Sequence, residues 1–138
     1  PASAKSKGYV FKYKGVSVTM NGAAKKLIKK AGKPSKKTVK KSCAYKGKDR
    51  TYTYKDFQLK TYSKTNNGAE YVSEIRFRSN KAVTKEGIRI GSSLKAVTKK
   101  YGKAKARFGV YTFKKGSSKL QIMLNGNKVS AIRYFASK

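Results

Sequence analysis

The chain has 138 residues, enough for one domain or two small fused lobes. Its 38% hydrophobic residues, with ten Tyr and six Phe, exclude a disordered chain despite a net charge of +31. Histidine is absent and cysteine occurs once, at Cys43, which excludes an internal disulfide and a histidine-based nucleophile.

The opening stretch "PASAKSKG" is small and polar, like the remnant of a cleaved secretion signal, a tether or a frayed end. It is read as a tail over residues 1–8 of a secreted or cell-surface anchored protein. Tyr9, Phe11 and Tyr13 then alternate up to Gly15, and Val16 and Val18 alternate after it, which predicts a hairpin. In "NGAAKKLIKKAGKP", Ala23, Leu27 and Ala31, together with Ala24 and Ile28, form one helical stripe. Asn21 is the expected cap of this helix, and Gly32 and Pro34 end it. Residues 35–41, "SKKTVKK", read as a basic connection. From Ser42 onward the pattern turns to strands: two around Gly47 in "CAYKGKDRTYTY", then "FQLKTY", then "YVSEIRFRSN" after the turn signal "NNG". Residues 79–86 read as a linker. The second half opens with "GIRI", read as a strand. A helix follows, capped by Ser92 or Ser93, with Leu94, Val97 and Tyr101 on one stripe and Gly102 at its end. Strands at "ARFGVYTF", "KLQIML" and "KVSAIRYFA" complete the chain. No run is long and apolar enough for a transmembrane helix, so no transmembrane insertion is expected.

The order repeats. Leu27, Lys29, Lys30 and Gly32 match Val97, Lys99, Lys100 and Gly102 at one constant spacing. "VSEIRF" at 72–77 matches "VSAIRY" at 129–134, and Tyr52-Thr53-Tyr54 matches Tyr111-Thr112-Phe113. The expected organisation is therefore α+β: two tandem repeats, residues 9–80 and 81–138, each a helical segment packed on an antiparallel sheet. The phrase "IGSSLKAVTKKYGK" resembles the G-(M/S)-S-x-x-x-V-x-x-x-(L/Y)-G signature of the β-lactamase-inhibitor-protein-like superfamily, which also occurs in outer-membrane assembly lipoproteins. The stretch Cys43 to Tyr54 is similar to one shared by small secreted or lipid-anchored proteins of Gram-positive gut bacteria. The resemblance covers about residues 9–136. It implies a pair of sheets forming one curved surface, helices on the other face, and work by non-covalent binding. The inhibitor is stapled by disulfides, which this chain cannot form, and none of its contact residues is carried over.

The charge is uneven. All five acids, Asp49, Asp56, Glu70, Glu74 and Glu86, lie within residues 49–86, and both flanking segments carry none. Lysine dominates, with arginine only at 50, 76, 78, 89, 107 and 133, which favours diffuse attraction over bidentate recognition. A solvated coat, a contact surface for an anionic polymer and a resurfaced acidic parent all fit this distribution. Glu70 and Glu74, four apart on a strand, are expected on one face as surface acids answering Arg76 and Arg78. Cys43 is expected as a small buried thiol. No cofactor or metal site is expected: the acids do not form a Ca²⁺ loop, and tetrahedral zinc lacks ligands.

No catalytic constellation emerges, so the expectation is a non-enzymatic binding protein, secreted or at the cell envelope. It would contact a protein or an anionic wall polymer through a curved sheet face and a basic surface. A nucleic-acid-binding protein using the Lys-rich surface is the alternative. The candidate binding residues are Lys25, Lys26, Lys29 and Lys30 on the first helix, and Tyr52, Tyr54, Tyr62 and Tyr111 on strands. Tyrosine supplies large contact area with little rotamer freedom to lose.

Overall fold

The computed structural model describes residues 8–136, so most of the expected tail lies outside the described residues. Strands β1 (Val10–Tyr13) and β2 (Val16–Thr19) form a two-stranded hairpin. Its two-residue turn, Lys14-Gly15, has φ of 48° and 86°, the left-handed pair that matches strand twist. Helix α1 (Lys25–Ala31) follows. Then come β3 (Lys36–Lys41), β4 (Lys48–Thr53), β5 (Phe57–Ser63) and β6 (Glu70–Phe77). Helix α2 (Leu94–Tyr101) precedes β7 (Val110–Lys115), β8 (Ser118–Asn125) and β9 (Lys128–Ala136). Strands β3 to β9 make one antiparallel seven-stranded sheet in the order β3-β4-β5-β6-β9-β8-β7. The architecture is thus α+β with antiparallel sheets.

One face of the large sheet is covered. Tyr52, Leu59, Ile75, Tyr134, Leu120 and Phe113 are successive cross-strand partners, and all are buried. The hairpin and both helices close over them. Phe11 is fully buried and its ring lies 5.3 Å from Phe57, 5.5 Å from Phe77 and 6.3 Å from Tyr134. Leu27 of α1 and Val97 of α2 are the buried residues of their helices. Burying side chains of this size contributes about 1.5–3 kcal/mol each. That is the counterweight to the self-repulsion of the basic surface.

Each helix enters from a segment that pairs with the sheet, and the two segments make the same three bonds. Asn21 N–H donates to Val72 O at 2.7 Å, Val72 N–H to Gly22 O at 2.9 Å, and Ala24 N–H to Glu70 O at 3.0 Å. Gly91 N–H donates to Val129 O at 2.8 Å, Val129 N–H to Ser92 O at 2.8 Å, and Leu94 N–H to Asn127 O at 2.8 Å. Asn21 and Gly91 both take positive φ, 66° and 100°. Both halves also carry a β-bulge at the matching place: Ser73 is the extra residue of β6, opposite Lys60 and Thr61, and Ser130 is the extra residue of β9, opposite Met123 and Leu124.

Several elements differ from expectation. Residues 36–41 are not a connection but edge strand β3, exposed along its whole length. It buries no alternating face, so no hydrophobic period marks it, and its lysines protect the edge from further pairing. "GIRI" is not a strand. It is pinned between two turns, Gly87 N–H to Thr84 O and Ser92 N–H to Arg89 O; Ile88 is buried in the core and Ile90 packs against it partly buried. Only one strand, β4, forms in "CAYKGKDRTYTY", and the stretch before it is a loop. Asn21 does not cap α1, whose N-cap position is Ala24, with no side-chain cap hydrogen bond; Ser93 does cap α2, accepting from Ala96 N–H. Instead of a pair of sheets there are one broad sheet and a small hairpin.

Candidate functional site

No described element covers the opposite face of the seven-stranded sheet. Its composition follows from strand parity and from the bulges. In an unbroken strand, residues two apart share a face. In β6 the bulge adds one residue, so Val72 and Ile75 are both buried while Glu74 and Arg76 face the other way. Glu70 stays on the covered side, where its Oε1 accepts from Tyr52 Oη and Thr61 Oγ1, both at 2.7 Å. Glu70 and Glu74 therefore lie on opposite faces, contrary to the simple spacing.

At the centre of the open face, Arg76 of β6 stands directly across from Arg133 of β9. The two Glu74 oxygens bridge them: Oε2 lies 3.3 Å from Arg76 Nη2 and Oε1 3.4 Å from Arg133 Nη1. Arg133 is fixed further. Its Nε donates to Gln121 Oε1 at 2.8 Å, and its guanidinium lies 4.4 Å from the centre of the Phe135 ring. Beside the pair is a concavity of about 290 Å³ lined by Arg76, Gln121, Met123, Ala131, Ile132 and Arg133.

Towards the β3 side the same face is aromatic. Tyr45 and Tyr62 stack with ring centres 5.0 Å apart at 14°, and Tyr71 lies 5.6 Å from Tyr62. Lys64 Nζ sits 5.9 Å and 5.8 Å from the Tyr45 and Tyr71 ring centres. Tyr62 Oη donates to Asn21 Oδ1 at 2.9 Å. Burial, then the neighbouring Tyr45 and Tyr71 phenols, push the Tyr62 phenol above its ordinary value. At the far corner Phe108 is fully exposed at the turn before β7.

The expected binding residues are not brought together. Lys25, Lys26, Lys29 and Lys30 are exposed on α1, on the covered side of the sheet. Tyr52 and Tyr54 are buried, because their parity matches Leu59, which the hairpin and helices cover. Tyr52 spends its hydroxyl on Glu70. Burial, then that hydrogen bond and charge, raise its pKa strongly. The Tyr54 hydroxyl is buried without a partner. Tyr111 is half-buried and packs on the core. Of the four tyrosines, Tyr62 alone reaches the open face. Cys43 is exposed, not buried. The loop turns its neighbour Ser42 inward instead, to accept from Ala44 and Tyr45 N–H. Arg76 and Arg133 were missed as site residues; the signal that could have found them is the arginine shared by "VSEIRF" and "VSAIRY". Tyr45 carried no periodic signal, because it sits in a loop.

No known protein family, curated protein or solved structure matches the chain. Among the described residues no helix is long and apolar enough to cross a membrane.

Proposed function

We propose that the chain is a non-enzymatic binding protein, secreted or at the cell envelope, built from two tandem β-lactamase-inhibitor-like repeats. The recurring bonds of Asn21, Gly22 and Ala24 with β6, and of Gly91, Ser92 and Leu94 with β9, support the duplication. So do the matched bulges. The repeats meet at β6 and β9, so their open faces join into one surface. The ligand is a protein or an anionic wall polymer. The observation that carries this reading is an uncovered sheet face centred on two opposed arginines, in a chain of net charge +31.

A nucleic-acid ligand is the second reading, favoured by the stacked Tyr45, Tyr62 and Tyr71 beside Lys64. Competition at one salt concentration separates the two, with teichoic-acid-type polymer, single-stranded DNA and duplex DNA as competitors. Wall polymer displacing DNA at equal charge concentration is the expected result. Preference for single-stranded DNA, lost in Tyr45→Ala, would overturn it. Changing Lys25, Lys26, Lys29 and Lys30 to Gln tests the basic coat separately. Each lost contact with a nucleic-acid competitor lowers the salt slope by roughly 0.7–0.9.

A further inference from the structure

One row of side chains crosses the open face from β4 to β7. In order its members are Thr53, Gln58, Arg76, Arg133, Gln121 and Thr112, each the register partner of the next. The row reads the same from either end. The proposed repeats equate Thr53 with Thr112, Gln58 with Gln121 and Arg76 with Arg133. The local two-fold axis therefore passes between the two arginines. Core packing does not explain the identity, because these side chains lie on the uncovered face. Simple retention after duplication does not explain it either: in the neighbouring open-face row, Thr51, Lys60 and Glu74 correspond to Val110, Met123 and Ala131, and all three pairs differ.

The last of those differences is the informative one. Facing arginines repel, and Glu74 offsets this from one side of the pair. The two-fold relation places Ala131 at the mirror position on the other side, where there is no carboxylate. The concavity of about 290 Å³ opens there. Met123, 45% exposed, forms an apolar wall suited to the methylenes of an acidic side chain. Both guanidinium groups keep donors beyond those used by Glu74 and Gln121. A second copy of the chain is a poor occupant, because both surfaces are strongly positive.

Resting on the binding-protein reading, we infer that the Ala131 concavity receives a carboxylate from an acidic protein segment, clamped between Arg76 and Arg133 as Glu74 is from the opposite side. The carboxylate fits because the pair already holds one in the same arrangement, and because planar carboxylate and guanidinium match edge to edge.

The test uses an acetylated, amidated hexaglutamate peptide and, separately, inorganic polyphosphate. The readout is the side-chain Nε–Hε resonances of the arginines, six in this chain. The peptide is expected to shift Arg76 and Arg133 more than the other four. Ala131→Glu, which supplies the missing carboxylate, should remove those shifts and weaken the peptide about tenfold, the loss of one charge-assisted contact. Arg76→Gln, at a largely exposed side chain, should do the same to the Arg133 shift if the first variant fails to fold. Peptide binding that moves all arginines alike, or that Ala131→Glu leaves intact, overturns the inference while the binding reading stands. Selective shifts from polyphosphate but not peptide overturn the choice of occupant. If neither probe binds, the anionic-ligand reading falls with it.

Discussion

Glu74→Gln keeps the shape of the side chain and removes the carboxylate that, among the described residues, bridges Arg76 and Arg133. The Arg76 side chain is 52% exposed, so its pair with Glu74 is worth about 0.5 kcal/mol after solvent screening. Arg133 is 32% exposed and Glu74 14%, and this better-shielded pair is worth about 1 kcal/mol. Repulsion between the arginines, no longer offset, adds a few tenths. The expected loss is about 1.5–2 kcal/mol, or roughly 5 °C in Tm for a chain of this length. The assay is a thermal melt of the wild type, Glu74→Gln, Arg76→Gln and the double variant, each at low and high salt. The double variant should lose less than the two singles together, because deleting Arg76 also relieves the repulsion exposed by the first change. About 1 M salt should shrink every difference. A loss under about 0.3 kcal/mol, or strict additivity, would refute the idea that the carboxylate holds this pair.

Cys43 should react with a thiol reagent in the native protein at nearly the rate of an unstructured cysteine, since it is exposed; slow labelling that needs unfolding would contradict its placement. The phenols of Tyr52, Tyr101 and Tyr134 are all pushed up, chiefly by burial. The unfolded chain ionises its tyrosines near pH 10, before these three, so their contribution to stability is intact below that pH and declines above it. Alkaline difference absorbance should show a late class of tyrosines that titrates only with unfolding. Phe11→Ala should cost about 3–5 kcal/mol in denaturant melts, because the hairpin's hold on the sheet centres on that ring.

The core was legible where side chains alternate or stripe. Tyr9 and Phe11 announce the hairpin, and Leu27 and Val97 the helices, because burial imposes a period on the sequence. Strand β3 was not legible. Its six residues bury no face, and its pairing with β4 runs through the backbone, which leaves no trace in residue type. The candidate site was half legible. The repeated V-S-x-I-R phrase carries both arginines but was read only as a mark of duplication, and of the tyrosines chosen for the open face, Tyr52, Tyr54 and Tyr111 lie on the covered side. Which face is covered depends on where the hairpin and helices land, a long-range fact that no local pattern encodes. Glu70 and Glu74 failed for a different reason: alternation holds only until a bulge interrupts it.

The bulges are also what make the site. Without the extra residue, Val72, Glu74 and Arg76 would share a face, and either the valine would lose its burial or the charges would enter the core. The irregularity separates them, so that one short strand supplies Val72 and Ile75 to the core and Glu74 with Arg76 to the open face. The second half keeps the same device, with Val129 and Ile132 buried and Arg133 outward, but carries Ala131 where the first half carries Glu74. The two halves therefore differ at the arginine pair in chemistry rather than in backbone. A single methyl group in place of a carboxylate leaves room on one side of the pair, and nothing in the packing requires that room. A ligand's carboxylate would fill it.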